Sequence, residues 1–343
     1  RVLGVSNTNG IFLNETKYGR EIKQAYFQVK PKEFCYNPYR VNVGSIGLNE
    51  FDYDNQIISG AYNIFGTDET ELLPEYLMAI FNSPQFLEYV NDKAHGGVRM
   101  NFKYEYLEDW EIPLPSIEIQ VQLTKDIADN LAVIRHADAL RTAFRFDASV
   151  FPNCERVLLD DVATIERGKF AHRPRNDPQF YHGNYPFIQI NDITNDVKFI
   201  STYEQTLNDR GLEVSKMFPK GTLVMSIASS IGEVGILTFD ACFPDSIVAI
   251  SPRDDRICLD YLFWYCKCFK DSFIAMASQA IQKNINVQKL KTYRIPLPDL
   301  RSQQEIVNAL DKQLADLQAL SNLRKNATTR FHALVESCWN GEK

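Results

Sequence analysis

The sequence predicts an α+β protein with two similar mixed α/β units, separated by two long antiparallel helices that form a coiled coil. The same motif occurs twice, as WEIPLP beginning at Trp110 and as YRIPLP beginning at Tyr293. After each motif, apolar residues recur at steps of three and four, which is typical of a helix. Before the second motif, short β-branched runs are bounded by Gly, Pro, Asp and Asn, which is typical of strands.

The internal repeat extends well beyond the prolines. Ile112 aligns with Ile295 at an offset of 183 residues, and the same offset aligns VRMNFKYEYLEDW with IQKNINVQKLKTY. Further upstream PEYLMAIFN aligns with LDYLFWYCK at an offset of 185, and Gly44 aligns with Gly232 at an offset of 188. Because the offset changes by only a few residues, the sequence indicates two copies of one unit with short loop insertions.

The elements follow in order from this repeat. The first unit is predicted over residues 1–115 and the second over residues 149–298. In the second unit, PFIQIND, GTLVMSI, VGILTF and SIVAIS are predicted strands, and DYLFWYCKCFKDSFIAMAS is predicted to be a buried helix packed on them. The long helices are predicted over residues 116–148 and 299–340, each after a rigid Pro-Leu-Pro step. Each carries a narrow apolar stripe, so the two are expected to pack together and to hold the units about 45 Å apart.

The two copies differ at their start. Arg1–Val5 aligns with Pro186–Ile190 at an offset of 185, so about 35 residues, from Phe151 to Tyr185, have no counterpart in the first copy. That stretch contains VLLDDVATI, which is predicted to form an opening strand or helix edge. We therefore expect the natural polypeptide to begin roughly 25 to 40 residues before Arg1, and the first unit to be incomplete or closed by a partner.

The composition is that of a packed protein, with 45% hydrophobic and 24% charged residues. No run reaches the roughly 18 consecutive apolar residues that a membrane span needs, and RVLGVSNTNG lacks the layout of a signal peptide. The sequence therefore predicts a soluble cytoplasmic protein with no membrane partner. Its seven cysteines show no C-x-x-C spacing, and we expect them to be reduced thiols in the core.

A formal net charge of −7 argues against a protein that binds nucleic acid through its overall charge alone. Basic residues are nevertheless concentrated locally, as in IERGKFAHRPR, which contains Arg167, Lys169 and Arg173. An acidic chain can therefore carry a positive face, although ordinary solvated loop charges explain the same pattern equally well.

The sequence lacks motifs of catalysis. An adenine methyltransferase would carry an Asn/Asp-Pro-Pro-Tyr/Phe step and a Gly-rich cofactor loop, whereas Asn37-Pro38-Tyr39 lacks one proline. No G-x-x-x-x-G-K-[ST] phosphate loop is present, and the five histidines are too scattered to predict a metal site or a catalytic triad. We therefore expect no catalytic residues, no metal and no cofactor in this chain.

Three stretches together resemble one known family. Three stretches resemble the target recognition domains and spacer helices of type I restriction-modification specificity subunits: IPLP, separated by four residues from a Gln at the start of a long helix; YNPYRVNVGSIG (Tyr36–Gly47); and PFIQINDIT (Pro186–Thr194). The resemblance covers nearly the whole chain, and its occurrence in duplicate is more specific than any single motif.

The resemblance implies a function in DNA recognition. Each unit would read one part of a bipartite double-stranded DNA target, and the helices would set the spacing and dock two methyltransferase (modification) subunits. Those partners would carry S-adenosylmethionine and methylate adenine, and restriction subunits would join them to translocate and cleave DNA. The chain itself would be a non-catalytic subunit.

Candidate DNA contacts were sought in polar loops beside glycines, because phosphates and base edges are bound by Arg, Lys, Ser, Asn and Gln side chains. The first group lies around NVGSIG and in its counterpart in the second copy, the second group lies in GGVRMNFK and QAIQKN, and the third lies in the basic segment. In that order the candidates are Arg40, Asn42, Ser45, Ser229 and Ser230; Arg99, Asn101, Lys103, Gln282, Lys283 and Asn284; and Arg167, Lys169 and Arg173.

Two alternatives stay open from the residues. The chain could be the recognition portion of a fused restriction enzyme-methyltransferase whose catalytic part lies upstream of Arg1. It could also be a duplicated protein scaffold without a DNA function, which would leave the family stretches unexplained. Salt-dependent DNA binding excludes the scaffold, and the identity of the partner chains separates the other two.

Overall fold

A computed structural model describes residues 1–7, 10–16, 24–94, 101–193, 198–278 and 284–340. The chain divides into two compact units: the first comprises Arg1–Ala143 and Ala319–Lys343, and the second comprises Phe144–Gln318. Within the described residues, no helix has both the length and the apolar composition that crossing a bilayer requires.

The strands are short and occur in both units. In chain order they are β1 (Leu3–Ser6), β2 (Gly10–Leu13), β3 (Tyr26–Gln28), β4 (Phe34–Tyr36), β5 (Ile46–Leu48), β6 (Ile57–Ser59), β7 (Asn63–Phe65), β8 (Arg156–Leu158), β9 (Ala163–Arg167), β10 (Tyr181–Phe187), β11 (Phe199–Ile200), β12 (Gln205–Leu207), β13 (Met217–Phe218), β14 (Leu223–Ser226), β15 (Val234–Leu237), β16 (Ala241–Cys242), β17 (Ile247–Pro252) and β18 (Arg294–Pro296).

The helices include one long element at the end of each copy. In chain order they are α1 (Pro74–Phe81), α2 (Pro84–Ala94), α3 (Tyr104–Glu108), α4 (Ile117–Ala143), α5 (Leu159–Val162), α6 (Ile190–Ile193), α7 (Asp209–Glu213), α8 (Leu259–Cys268), α9 (Lys270–Ser278), α10 (Val287–Lys291) and α11 (Leu300–Asn340). The mixed helix and sheet composition confirms the predicted fold class.

The first unit is built on small antiparallel sheets and an aromatic core. β4 lies between β5 and β7, while β1 pairs with β2 and β3 pairs with β6. Phe34, Tyr36, Tyr76 and Phe102 are fully buried between the β4 sheet and the first helices. Because each aromatic ring removes a large apolar area from water, these rings form an important part of the core of this unit.

The second unit contains two larger sheets. One has the order β11-β15-β14-β17-β9 and the other has the order β12-β10-β16-β13. The central strands β14 and β15 are buried along their whole length, and α8 packs on this sheet with Tyr261 and Trp264 fully buried. Strands covered on both faces read as continuous apolar runs, which is why they could be predicted from GTLVMSI and VGILTF.

In the first unit, α4 packs against the C-terminal part of α11. Asp138 pairs with Arg324 at 2.6 Å, whereas Leu123, fifteen positions earlier in α4, packs in the cluster that contains Cys338. The two helical segments are therefore antiparallel within this unit. Between these two points lies an apolar layer formed by Ile127, Leu131, Ile134, Phe331, Leu334 and Val335.

In the second unit, the beginning of α11 is attached through a buried cation. Lys198 is only 6% exposed, and its Nζ lies 2.7 Å from Asp260 Oδ1 and 2.8 Å from Asp311 Oδ1. Trp264 Nε1 donates a hydrogen bond of 2.8 Å to the same Asp311 carboxylate. Because Asp311 belongs to α11 and Trp264 belongs to α8, this network fixes the two helices to each other.

The shared Gln of the repeated motif has the same structural role in both copies. Gln303 is fully buried, and its Oε1 accepts a hydrogen bond of 2.9 Å from the backbone N–H of Cys258, which caps α8. Its amide group donates to two backbone carbonyls, so the side chain ties the start of α11 to the start of α8. Gln120 is fully buried as well and makes the equivalent bonds to Leu73 N, Glu71 O and Pro115 O.

Two further features confirm the alignment of the copies. Gly44 and Gly232, aligned at offset 188, both have positive φ, of 84° and 80°, a backbone conformation that favours glycine. The parallel bridge between Val2 and Ile57 corresponds, at offset 185, to the parallel pairing of Phe187 with Cys242. The two units therefore share these two local backbone features.

The unmatched segment of the second copy forms β8, α5 and β9, so VLLDDVATI contains the strands and the short helix that its pattern indicated. β9 pairs with β17. In the first unit β7 occupies the place of β17, and within the described part of the chain its other edge is not paired with a strand. The two units therefore differ at the sheet edge where the alignment ends.

Three predicted elements differ in detail. PFIQIND was predicted as a strand, but β10 ends at Phe187 and a helical turn follows, because the Asp192 carboxylate accepts a hydrogen bond of 2.7 Å from Gln189 N. The predicted buried helix over residues 260–278 is divided at Phe269 into α8 and α9. The first long helix ends at Ala143, before the expected limit at residue 148.

Candidate nucleic-acid interface

A cleft of the second unit has a volume of about 970 Å³ and is lined mainly by polar side chains. It lies between the β10–β12 edge, the end of β9 and the turn that joins β14 to β15. Its polar lining includes Arg167, Arg175, Asn176, His182, Gln189, Glu204, Gln205, Ser229, Asp245 and Asn284. Side chains of this kind supply hydrogen bonds to phosphates and to base edges.

A bulge in β10 shapes one wall of the cleft. The pairing of β10 with β12 shifts register between Tyr181 and Tyr185, and His182 within the bulge has a φ of 63°. Gly183 follows, and a Cβ at that position would lie 2.3 Å from the Cα of Asn208. The bulge therefore requires glycine, and it places the exposed His182 among the cleft-lining residues.

Three arginines contact Asp245 at the cleft, two of them through its carboxylate and one through its backbone. Arg167 Nε donates to the backbone carbonyl of Asp245 at 2.5 Å, and Arg173 Nη2 lies 3.3 Å from the Asp245 carboxylate. Arg175 forms an ion pair with the same carboxylate. These three arginines outnumber the two carboxylates that line the cleft, Asp245 and Glu204, so this edge can attract phosphate although the chain is acidic.

Neutral amides and hydroxyls occupy other parts of the cleft. Gln189 Nε2 donates a hydrogen bond of 3.2 Å to Gln205 Oε1. Asn284 forms a β-bridge with Ala228, so it lies beside the turn that contains Ser229. Ser229 has a φ of 59° and is exposed. Amide groups are forked donors and acceptors, which is the chemistry that distinguishes one base edge from another.

The acidic groups near the cleft are held by hydrogen bonds. Burial raises the pKa of the Asp192 carboxyl, while the hydrogen bond from the backbone of Gln189 opposes that rise. At the rim, hydrogen bonds from the side chain and backbone of Gln179 hold the pKa of Asp177 below its usual range. No group of His, Cys, Asp and Glu side chains within the described residues is arranged to bind a metal ion.

The cleft brings together three of the predicted contact residues, Arg167, Ser229 and Asn284, from distant parts of the chain. Arg173 reaches the same site through Asp245. Lys169 and Ser230 are exposed nearby in sequence but do not line the cleft. Gln282 and Lys283 lie outside the described residues.

In the first unit the candidates are divided. Arg40, Asn101 and Lys103 are exposed and Asn42 is half-buried. The N–H of Phe102, between Asn101 and Lys103, donates to the Pro38 carbonyl at 2.8 Å, which brings the two loops together. Ser45 is 3% exposed and its Oγ lies 3.4 Å from the Val5 carbonyl, so its hydroxyl faces the protein interior. Arg99 lies outside the described residues.

Sequence reasoning missed several residues of the cleft. Gln189, Gln205, His182 and Asn176 were not among the candidates, although Gln189 directly follows the apolar run PFI. A polar residue where a strand ends is a usable signal. Gln205 and His182 carry no such signal, because they enter the cleft only through the irregular pairing of β10 with β12.

Comparison with known proteins identifies the family of this two-unit fold. The profile described as "Type I restriction modification DNA specificity domain" matches residues 153–329, which is just over half of the chain. The chain belongs to this family.

Relatives and solved structures agree with this assignment. A putative type I restriction enzyme MjaX specificity subunit from Methanocaldococcus jannaschii is 22% identical over 279 residues, covering 73% of this chain and 62% of that protein. The chain thus spans less than two thirds of the length of that relative. The type I restriction enzyme EcoBI specificity subunit from Escherichia coli is 25% identical over 122 residues, covering 34% of this chain and 26% of that protein.

Two solved structures have the same fold. A chain from a structure on complex assembly and conformational transition of the type I R-M system has a TM-score of 0.63 and 20% identity, over 98% of this chain and 89% of that one. The S subunit of a type I restriction-modification system from M. genitalium has a TM-score of 0.51 and 12% identity, over 94% of this chain and 91% of that one. At these identities the likeness establishes the fold.

Proposed function

We propose that this protein is the non-catalytic specificity subunit of a type I restriction-modification complex and that it binds a bipartite double-stranded DNA target. The observation that carries the proposal is the polar cleft of the second unit, in a chain that belongs to a DNA specificity family. Each unit reads one part of the target, and the two long helices set the distance between the two parts.

The cleft offers two kinds of contact with DNA: charged contacts to phosphates and hydrogen bonds to bases. Arg167, Arg173 and Arg175 bind phosphates, which position the protein on the duplex without reading its sequence. Gln189, Gln205 and Asn284 face base edges, where hydrogen bonds discriminate between sequences. In the first unit, the exposed Arg40, Asn101 and Lys103 have the corresponding role.

The partners in this proposal are two modification subunits and the restriction subunits. Modification subunits supply S-adenosylmethionine and the methylation of adenine, and the restriction subunits supply translocation and cleavage. The repeated framework supports two equivalent docking points, because the same Gln and Pro-Leu-Pro contacts occur in both copies. Since the target is the DNA of the cell, we place the protein in the cytoplasm.

The proposal is tested by assembling the chain with modification subunits of a type I system and selecting bound sequences from a randomised pool of duplexes. We expect a split target, with an affinity that falls steeply as salt rises. Binding without any sequence preference, or no DNA binding at all, would contradict the proposal. A covalent link to a methyltransferase instead of a separate chain would indicate a fused enzyme.

Modularity provides the matched test within the same assay. Replacing residues 1–115 by the corresponding unit of another specificity subunit is expected to change one half of the selected target and to leave the other half intact. Changes scattered over both halves would show that the two units do not read independently.

A further inference from the structure

The hydrogen-bonded amide pair of the cleft has a defined set of free groups. Gln189 Nε2 donates to Gln205 Oε1 at 3.2 Å, which leaves Gln189 Oε1 and Gln205 Nε2 for another partner. If both amides were rotated by 180°, the pair would still leave one carbonyl oxygen and one NH₂ group. The pair therefore presents an acceptor and a donor side by side.

The strands hold this pair in place. Gln205 is the first residue of β12 and lies opposite Phe187, the last residue of β10, while the backbone N–H of Gln189 is fixed by the Asp192 carboxylate at 2.7 Å. Gln205 is exposed and Gln189 is half-buried, so both remain accessible from the cleft. A pair of amides that orient each other loses less side-chain entropy on binding than two independent ones.

Among the base edges of the major groove, adenine matches this arrangement. Adenine presents the N7 acceptor beside the N6 amino donor, and one donor with one acceptor satisfies both. Guanine presents two acceptors, so the free carbonyl oxygen would face an acceptor, and cytosine presents a single amino donor; in a G·C pair, a donor lies beside an acceptor only across the two bases, at N4 of cytosine and O6 of guanine. Thymine offers an acceptor beside a methyl group, which leaves the carbonyl oxygen without a donor.

The first unit has no glutamine at the position that aligns with Gln189. At the aligned position it has Gly4, and a Cβ there would lie 2.7 Å from Cζ of Phe12. The phenyl ring thus occupies the place of a side chain. The two copies therefore differ here both in side chain and in local backbone, since Gly4 lies in β1 whereas Gln189 follows the end of β10.

We propose that the Gln189–Gln205 pair reads an adenine in the half of the target that the second unit binds. The inference rests on the proposed function and deepens it, because it assigns one base of the target to two named residues. Arg167 and Arg175 then hold the adjoining phosphates, and Glu204, beside Gln205, faces the same cleft.

The test uses the assembled complex and a pool of duplexes with a randomised central region. The wild-type complex is expected to select an adenine at one position of the half-site that does not change when residues 1–115 are replaced. Gln189→Leu and Gln205→Leu are each expected to reduce that preference by roughly fivefold to a hundredfold and to leave the other positions unchanged. Gln205→Glu, which keeps the length but removes the donors, is expected to shift the preference toward cytosine.

Gln288→Leu is the matched control, because Gln288 is exposed on α10 and does not line the cleft. Thermal unfolding of each variant checks that the fold is retained. An unchanged adenine preference in both leucine variants overturns the inference, as does an equal loss of affinity for all sequences. A wild-type complex that selects no sequence at all would contradict the proposed function. Only in that case would the proposed function and the adenine inference fail together.

Discussion

Buried amides are costly when they lose their partners, and Gln303 has all of its hydrogen bonds with the backbone. It joins the residue that opens α8 to the Pro-Leu-Pro step that precedes α11. The hydrophobic stripe of α11 could pack in more than one register, whereas three directed bonds at its first turn allow one. The repeated glutamine thus fixes where each long helix begins.

Gln303→Leu is therefore expected to destabilise the protein by about 2–4 kcal/mol, because a backbone N–H and two carbonyls become buried without partners. Gln304→Leu changes the next residue of the same helix, which is exposed and bonded only to Asn308, and is expected to cost less than about 0.5 kcal/mol. Urea unfolding followed by circular dichroism measures both. Equal stability of the two variants would show that the hydrogen bonds of Gln303 are dispensable.

The cysteines differ in reactivity for a physical reason that the structure makes specific. Burial raises the pKa of Cys35 and of Cys266 to about 12, and since the thiolate is the nucleophile, only on the order of one thiol in ten thousand is ionised near pH 8. Cys154 is only half-buried. Cys35, Cys242, Cys266 and Cys338 are buried as expected, whereas Cys258 and Cys268, like Cys154, are only half-buried and do not lie fully in the core.

Alkylation of the native protein with iodoacetamide at about pH 8 is therefore expected to modify Cys154 well before Cys35 and Cys266. Since the raised pKa keeps the buried thiols protonated, their alkylation should remain slow even when the pH is increased to about 9. Mass spectrometry of peptides locates the label, and the urea-unfolded protein is the control in which all react. Early labelling of Cys35 in the folded protein would contradict the burial argument.

At the scale of elements, the packing of α4 on the last part of α11 depends on apolar contact more than on charge. Val335 is 1% exposed and Phe331 is 9% exposed in the layer shared with Ile127. The ion pair of Asp138 with Arg324 has both side chains more than 40% exposed, and exposed pairs contribute little.

Phe331→Ala is expected to cost about 3 kcal/mol or more, because a buried aromatic ring is replaced by a cavity. Arg324→Ala is expected to cost at most about 1 kcal/mol, and Leu323→Ala, at a position that is 52% exposed, less than about 0.5 kcal/mol. Denaturant unfolding gives the order of the three. If Arg324→Ala proved the most destabilising, the helix pair would depend on charge instead of packing.

Elements that are determined by neighbouring residues in the sequence could be predicted, whereas elements that depend on distant contacts could not. β14, β15 and β17 are short apolar runs between Gly, Pro and Asp, so their pattern alone identified them. The break at Phe269 was missed, because DYLFWYCKCFKDSFIAMAS contains neither Gly nor Pro to mark an end, although Lys267, Lys270 and Asp271 lie beside the break. The cleft was predicted only in part, since Gln189 and Gln205 meet through a strand pairing that no local pattern encodes.

At the scale of the whole molecule, duplication gives one chain two similar units whose surface residues can differ independently. The structural contacts of the repeat, such as the buried glutamines, are kept in both copies. The surface that we assign to base reading differs, with Gly4 in one copy where the other has Gln189. A non-identical bipartite target requires this combination of a common frame and distinct polar residues.

In our proposal the long helices determine the spacing of the two half-sites. Inserting seven residues into α4 between Leu131 and Asp138, and seven into α11 between Arg324 and Phe331, separates the ion pair from the apolar layer in both helices. Because seven residues are close to two full turns, the apolar stripes stay nearly in register. The insertion adds about 10 Å of helix, so the preferred gap between the half-sites is expected to lengthen by roughly three base pairs.

Selection from the duplex pool measures the gap, and a single insertion in α4 alone serves as the control that disrupts the pairing. An unchanged gap in a folded double insertion would mean that the helices do not determine the distance between the two readers.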